Sequence, residues 1–133
     1  MGSKRNRQAG NKYEVDLVNE LKSMAYSVVT SRSESRNMDN KKVDVFSPPG
    51  TAESEVFPYY IQAKFTSVSP SYATLLSTMP SDRPGLVFHK KAESYKCKDD
   101  KVRHRSVGEF VIMTKELFYE LLKRKTGESE EAV

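Results

Sequence analysis

Two short apolar stretches, residues 43–46 and 59–66, constrain the fold of this chain more than any other part of it. Apolar and polar residues alternate at period two in both, with aromatic and β-branched types enriched, which is the pattern of half-buried strands. In the second, Gln62 and Lys64 stand two residues apart and project from one face, while Ile61, Ala63 and Phe65 occupy the other. If the two strands pair, Asp44 joins Gln62 and Lys64, and an acid, an amide oxygen and an ammonium share one small volume. Acids two residues before a lysine also occur at Glu20/Lys22, Asp39/Lys41 and Asp99/Lys101. Those three fall in an amphipathic helix, a polar loop and a charged turn, where the side chains face solvent. Only Gln62/Lys64 lies in an apolar strand preceded by another apolar strand that carries an acid. The alternative for the pair is one ordinary wet face of a strand.

With 133 residues the chain is expected to close one core. Charged residues make up 30% of it and hydrophobic ones 37%, a balance that suggests exposed loops or arms. The net charge is +4, but Glu128, Glu130 and Glu131 crowd the last seven residues, and without them the rest carries +7. A basic body of this kind suits a polyanionic partner. The single cysteine, Cys97, leaves no internal disulfide, so a reducing, intracellular (cytoplasmic) setting is expected. No apolar run is long enough to span a bilayer, and a soluble protein with no membrane partner is expected.

Residues 1–10 hold Lys4, Arg5 and Arg7 without an apolar period and read as a mobile basic arm, able to grip phosphates or merely frayed. From Asn11, Tyr13, Leu17, Leu21 and Met24 recur at helical spacing beside Val18 and Ala25. Glu14 lies at the border of that stripe. It is either a carboxylate held near the core boundary or a first-turn acid favourable to the helix dipole. A short strand at residues 26–30 leads into a polar loop, residues 31–42, in which Arg32, Ser33, Arg36, Lys41 and Lys42 suit a phosphate backbone, or simply water. After the strand at 59–66, Tyr72, Leu75, Leu76 and Met79 mark a helix stopped by Pro80, and residues 85–89 a buried strand returning to the same sheet. His89, at its end, reads as an exposed basic residue. Residues 90–105 carry seven Lys and Arg against three acids and read as a polar hairpin, with Lys90, Lys91, Arg103 and Arg105 as a second polyanion contact. A strand at 107–113 and a helix capped by Thr114, with Leu117, Phe118, Leu121 and Leu122 inward, close the domain at residue 126 before an acidic flexible tail, 127–133. The expected architecture is an α/β (α+β) sandwich, with helices packed on a mixed central sheet.

This order of elements, with Gly10-Asn11-Lys12-Tyr13-Glu14, the Arg- and Ser-rich segment at 31–36, Asp44 and Gln62-Ala63-Lys64, resembles the PD-(D/E)XK nuclease superfamily and within it the archaeal-type Holliday junction resolvases also found in phages. The resemblance spans most of residues 9–91. It implies a restriction-endonuclease-like α-β-β-β-α-β core and an Mg²⁺- or Mn²⁺-dependent endodeoxyribonuclease acting on four-way DNA junctions as a homodimer. It implies Glu14, Asp44, Gln62 and Lys64 as catalytic residues, and Asp44, Gln62, Glu14 and the Ala63 carbonyl as metal ligands. The departure is Gln62, where resolvases usually carry Glu, although Mrr-type restriction nucleases use Gln-x-Lys. Two other outcomes stay open: a duplex-cutting restriction or repair nuclease of the same fold, and an inactive nucleic-acid-binding relative.

Overall fold

The computed structural model describes residues 3–34, 38 and 41–131, with backbone alone at 3–9, 34, 104 and 125–131. Helix α1 (Ser3–Ser23) leads to strand β1 (Val29–Thr30), a helical turn α2 (Ser31–Glu34), strand β2 (Val45–Phe46), strand β3 (Tyr60–Thr66), helix α3 (Tyr72–Thr78), strands β4 (Gly85–Lys96) and β5 (Val102–Ile112), and helix α4 (Lys115–Glu131). The strands form one five-stranded sheet in the order β1-β2-β3-β4-β5. All neighbours run antiparallel except β3 and β4. A parallel pair needs a crossover connection, and α3 supplies it.

Adjacent residues of β3 send their side chains to opposite faces, so Ile61 and Tyr60 mark two layers of core. On the Ile61 face α1 buries Tyr13, Leu17, Val18 and Leu21 against Val28, Val45 and Leu86. On the Tyr60 face lie Val43, Phe46 and Met79, with Leu76 of α3 beside them. The molecule is thus a mixed α/β sandwich with helices on its sheet. Each fully buried aliphatic side chain of α1 contributes about 1.5–3 kcal/mol. Among the described residues no helix is long and apolar enough to cross a membrane.

Several expectations shift. The backbone of residues 3–10 is helical and continues α1, since Lys, Arg, Gln and Ala there are good helix formers. The backbone of α4 runs on to Glu131. Met24 was expected in the core and is 62% exposed. The reason is local: α1 stops at Ser23, Tyr26 N–H donates to the Leu21 carbonyl at 3.0 Å, and Ala25 takes a left-handed φ of 74°, which turns the chain before Met24 can reach the sheet. In α4 the Thr114 hydroxyl does accept from the Leu117 amide at 3.1 Å, as a cap should. Only Leu117 is buried, however, while Phe118 and Leu122 are half exposed because α4 lies over little of the sheet.

Candidate active site

The Val45–Ile61 pairing sets the geometry of the site. One step along the antiparallel ladder brings Asp44 opposite Gln62. The chain reaches Asp44 through a turn in which Val43 N–H donates to the Met38 carbonyl at 3.0 Å and Lys42 adopts a left-handed φ of 65°. The Asp44 amide then donates to the Ile61 carbonyl at 2.8 Å, and its carbonyl accepts from Ser31 N–H at 2.9 Å. Its side chain continues the ladder: Oδ2 accepts from the Ala63 amide at 2.8 Å. The N–H and C=O of one strand residue point the same way, so the Ala63 carbonyl is directed toward the Asp44 edge as well.

Burial pushes the Asp44 carboxyl up to about 6; the Ala63 hydrogen bond opposes it, the Glu14 charge reinforces it, and Lys64 and then Arg32 pull it back. One acid therefore feels Glu14, Lys64 and Arg32 together. These groups come from α1, β3 and α2.

Gln62 is 4% exposed, and its Oε1 is buried with no hydrogen-bond partner. A buried amide oxygen without a partner costs on the order of 1–3 kcal/mol, so such an atom asks for a donor or a cation. Glu14 is equally buried, yet its carboxylate is engaged by Arg32, Nε to Oε1 at 3.2 Å and Nη2 to Oε2 at 3.4 Å. Arg32, expected to hold phosphate, thus holds the catalytic-candidate acid, with nearly half of its side chain exposed.

Among the described residues no three His, Cys, Asp or Glu side chains group to hold a metal. The oxygen atoms around Asp44 are the unpartnered Gln62 Oε1 and the Ala63 carbonyl, while the Glu14 carboxylate is held by Arg32. This all-oxygen set is the chemistry of Mg²⁺ or Mn²⁺ rather than Zn²⁺.

The remaining expected contacts are scattered. Ser33 is exposed, and its hydroxyl is tied to Thr30, donating to the carbonyl at 3.0 Å. Lys41 and Lys42 are exposed near the turn before Asp44, and Lys91 is half-buried on β4. Lys90 lies over the rings of Tyr13 and Phe65, 5.7 and 5.5 Å from their centroids. Arg103 and Arg105 belong to the distal part of β5. The side chains of Lys4, Arg5 and Arg7, and all of Arg36, lie outside the described residues.

His89 overturns its expected exposure. It is 1% exposed and pairs in register with Lys64. Its Nε2 sits 3.1 Å from the Thr66 carbonyl, which can only accept, so Nε2 carries the proton; Nδ1 then accepts from the Tyr72 hydroxyl at 3.0 Å. The Thr66 hydroxyl, 3.0 Å from Nε2, gives its own proton to the Val68 carbonyl. The ring fastens α3 to the end of β3, next to Lys64. The available signal was Tyr72 on the crossover helix, which had to cover this face.

Compared with known proteins, the chain matches no family model, no curated relative and no solved structure.

Proposed function

We propose that the chain is a metal-dependent, structure-selective endodeoxyribonuclease with a PD-(D/E)XK-type core, hydrolysing phosphodiesters in four-way DNA junctions. The observation that carries this is the buried, unpartnered Oε1 of Gln62 opposite an acid whose pKa is raised to about 6. Around that pair, the order α1-β1-β2-β3-α3-β4, interrupted by the one-turn α2 after β1, and the position of Lys64 two residues after Gln62 fit the resemblance.

Asp44, Gln62 and the Ala63 carbonyl would hold Mg²⁺ or Mn²⁺, with Glu14 completing the set. When bound, the cation lowers the pKa of a water and polarises the phosphoryl oxygen. The chain's own groups do the rest. Lys64 orients the attacking water and offsets negative charge as the new P–O bond forms and the bond to the departing sugar oxygen breaks. Arg32 stands ready to leave Glu14 for the phosphate it would neutralise. His89 keeps α3 and β3 fixed behind Lys64. Symmetric incision of a junction needs two such sites, which a two-fold homodimer supplies.

A second reading has its own support: both oxygens of Glu14 are taken by Arg32 and Gln62 is neutral, which suits a silent nucleic-acid-binding relative. The deciding assay offers a synthetic four-way junction and a linear duplex of equal length with Mg²⁺ or Mn²⁺. The nuclease reading expects junction cleavage by wild type and a loss on the order of 10³-fold or more in Asp44→Asn and Lys64→Ala. Binding without cleavage by wild type would establish the silent relative, and equal cutting of the linear duplex a restriction- or repair-type enzyme.

A further inference from the structure

Beyond Lys91, β4 has no strand neighbour except β5 among the described residues. Residues 93–96 pair with 102–105 as a two-stranded ribbon exposed on both faces where described, closed by a turn in which Cys97 N–H donates to the Lys101 carbonyl at 2.9 Å. A hairpin wet on both sides gains little from burial, so its persistence and its composition need another reason. The register supplies the composition. Directly paired residues share a face, so Glu93, Arg105, Tyr95 and Arg103 line one side of the ribbon, and Ser94, Lys96 and Val102 the other.

Every acid of residues 90–105 pairs with a base of the ribbon itself: Glu93 with Arg105 at 3.7 Å, Asp99 with Arg103 at 3.7 Å, and Asp100 with Lys96 at 3.6 Å. Arg105 also lies 5.1 Å from the Tyr95 ring centroid. The acids hold the guanidinium groups in place through exposed, easily exchanged pairs. Among the described residues Lys98 and Lys101, at the turn, make no ion pair. Net positive charge is therefore concentrated at the far end of the ribbon.

At its base the ribbon leaves the sheet through a bulge. Lys91 pairs with Gly108 but Ala92 with Ser106, so Val107 is the extra residue. Gly108 has φ 153°, and a Cβ there would stand 2.9 Å from the Phe110 ring. Bulges bend and twist the strand that carries them. From Ala92 to the turn the ribbon reaches roughly 20 Å at about 3.3 Å per residue.

We propose that this ribbon enters the major groove of a DNA duplex arm, with Lys98 and Lys101 at its turn and Arg103 and Arg105 on one face reaching the flanking phosphates. The B-form major groove, about 12 Å wide, admits a two-stranded ribbon, whereas the minor groove, about 6 Å wide, does not. The deep, narrow major groove of A-form RNA does not admit it either. The choice of DNA rests on the nuclease reading; the groove is chosen by the ribbon's shape.

The test is run in EDTA, so that it reads binding apart from any metal-dependent cutting. Wild type and the double variant Lys98→Ala/Lys101→Ala, both checked by circular dichroism, are titrated by fluorescence anisotropy onto a fluorescent DNA duplex and its RNA counterpart over a range of salt. Wild type binds the DNA duplex at least tenfold more tightly than the RNA. In the double variant the slope of log K against log salt falls by about 0.9 for each phosphate that the missing ammonium groups no longer neutralise. Methyl green, which occupies the major groove, competes, and netropsin, which occupies the minor groove, does not. An unchanged salt slope, displacement by netropsin alone, equal affinity for RNA, or no duplex binding by wild type overturns the proposal. None of these results decides whether the protein cuts junctions in Mg²⁺, which the cleavage assay reads separately.

Discussion

At the β2–β3 junction, charge is buried and fixed by the fold: Asp44 is bonded to the Ala63 amide, Glu14 is gripped by Arg32, and Gln62 holds an oxygen with no partner. In the β4–β5 ribbon, charge is exposed and pairs within the hairpin. The first region stores the energetic cost of a buried, unpartnered amide oxygen, while the second stores almost none. On the proposed reading, the costly buried polar groups would serve reaction and the exposed basic hairpin would serve grip.

Five outcomes probe that contrast, beginning with the largest. Replacing Lys64 by Ala should cut junction cleavage on the order of 10³-fold, with duplex binding unchanged in a gel-shift assay. Ribbon variants should do the reverse, weakening affinity while single-turnover cleavage at saturating DNA persists.

Gln62→Glu places a second buried carboxyl opposite Asp44. Without divalent cation it should destabilise the protein by about 3 kcal/mol at pH 7.5, since one buried charge is left uncompensated. With Mn²⁺ most of that loss should return, as measured by urea denaturation with and without the metal.

Asp44→Asn should stabilise the metal-free protein. The folded-state pKa of Asp44, about 6, lies above the ordinary 3.8. Between those values the folded state binds more protons than the unfolded one, so stability falls as pH rises through this window and stays lower above it. The shift corresponds to about 3 kcal/mol. Urea melts of wild type should show that decline between pH 4 and 6, and the Asn variant should lack it.

The smallest effect belongs to the ribbon. Glu93→Ala breaks the exposed pair with Arg105 and should change stability by no more than about 0.5 kcal/mol.

The two regions also differ in how far the sequence foretold them. Period-two alternation placed Asp44, Gln62 and Lys64 on neighbouring strands, because strand periodicity determines which side chains share a face. It was silent about Arg32 and Glu14, whose pairing depends on how α2 meets α1. His89 was misread for a related reason: the polarity of a strand end says nothing about a helix arriving to cover it, and Tyr72 of α3 does. Phe118 and Leu122 show the converse. Helical spacing groups them on one stripe, but only packing decides whether anything covers that stripe, and here they stay half exposed. In the ribbon, composition revealed a basic hairpin, while the pairing of its acids with its own bases needed the register.

Whether the β2–β3 junction is a cation site can be read without any substrate, by calorimetric titration of Mn²⁺ into metal-free wild type, Asp44→Asn and Gln62→Glu at pH 7.5. Wild type should bind saturably, Asp44→Asn should lose that binding, and Gln62→Glu should bind at least tenfold more tightly. Identical isotherms for all three proteins would contradict a metal held between Asp44 and Gln62.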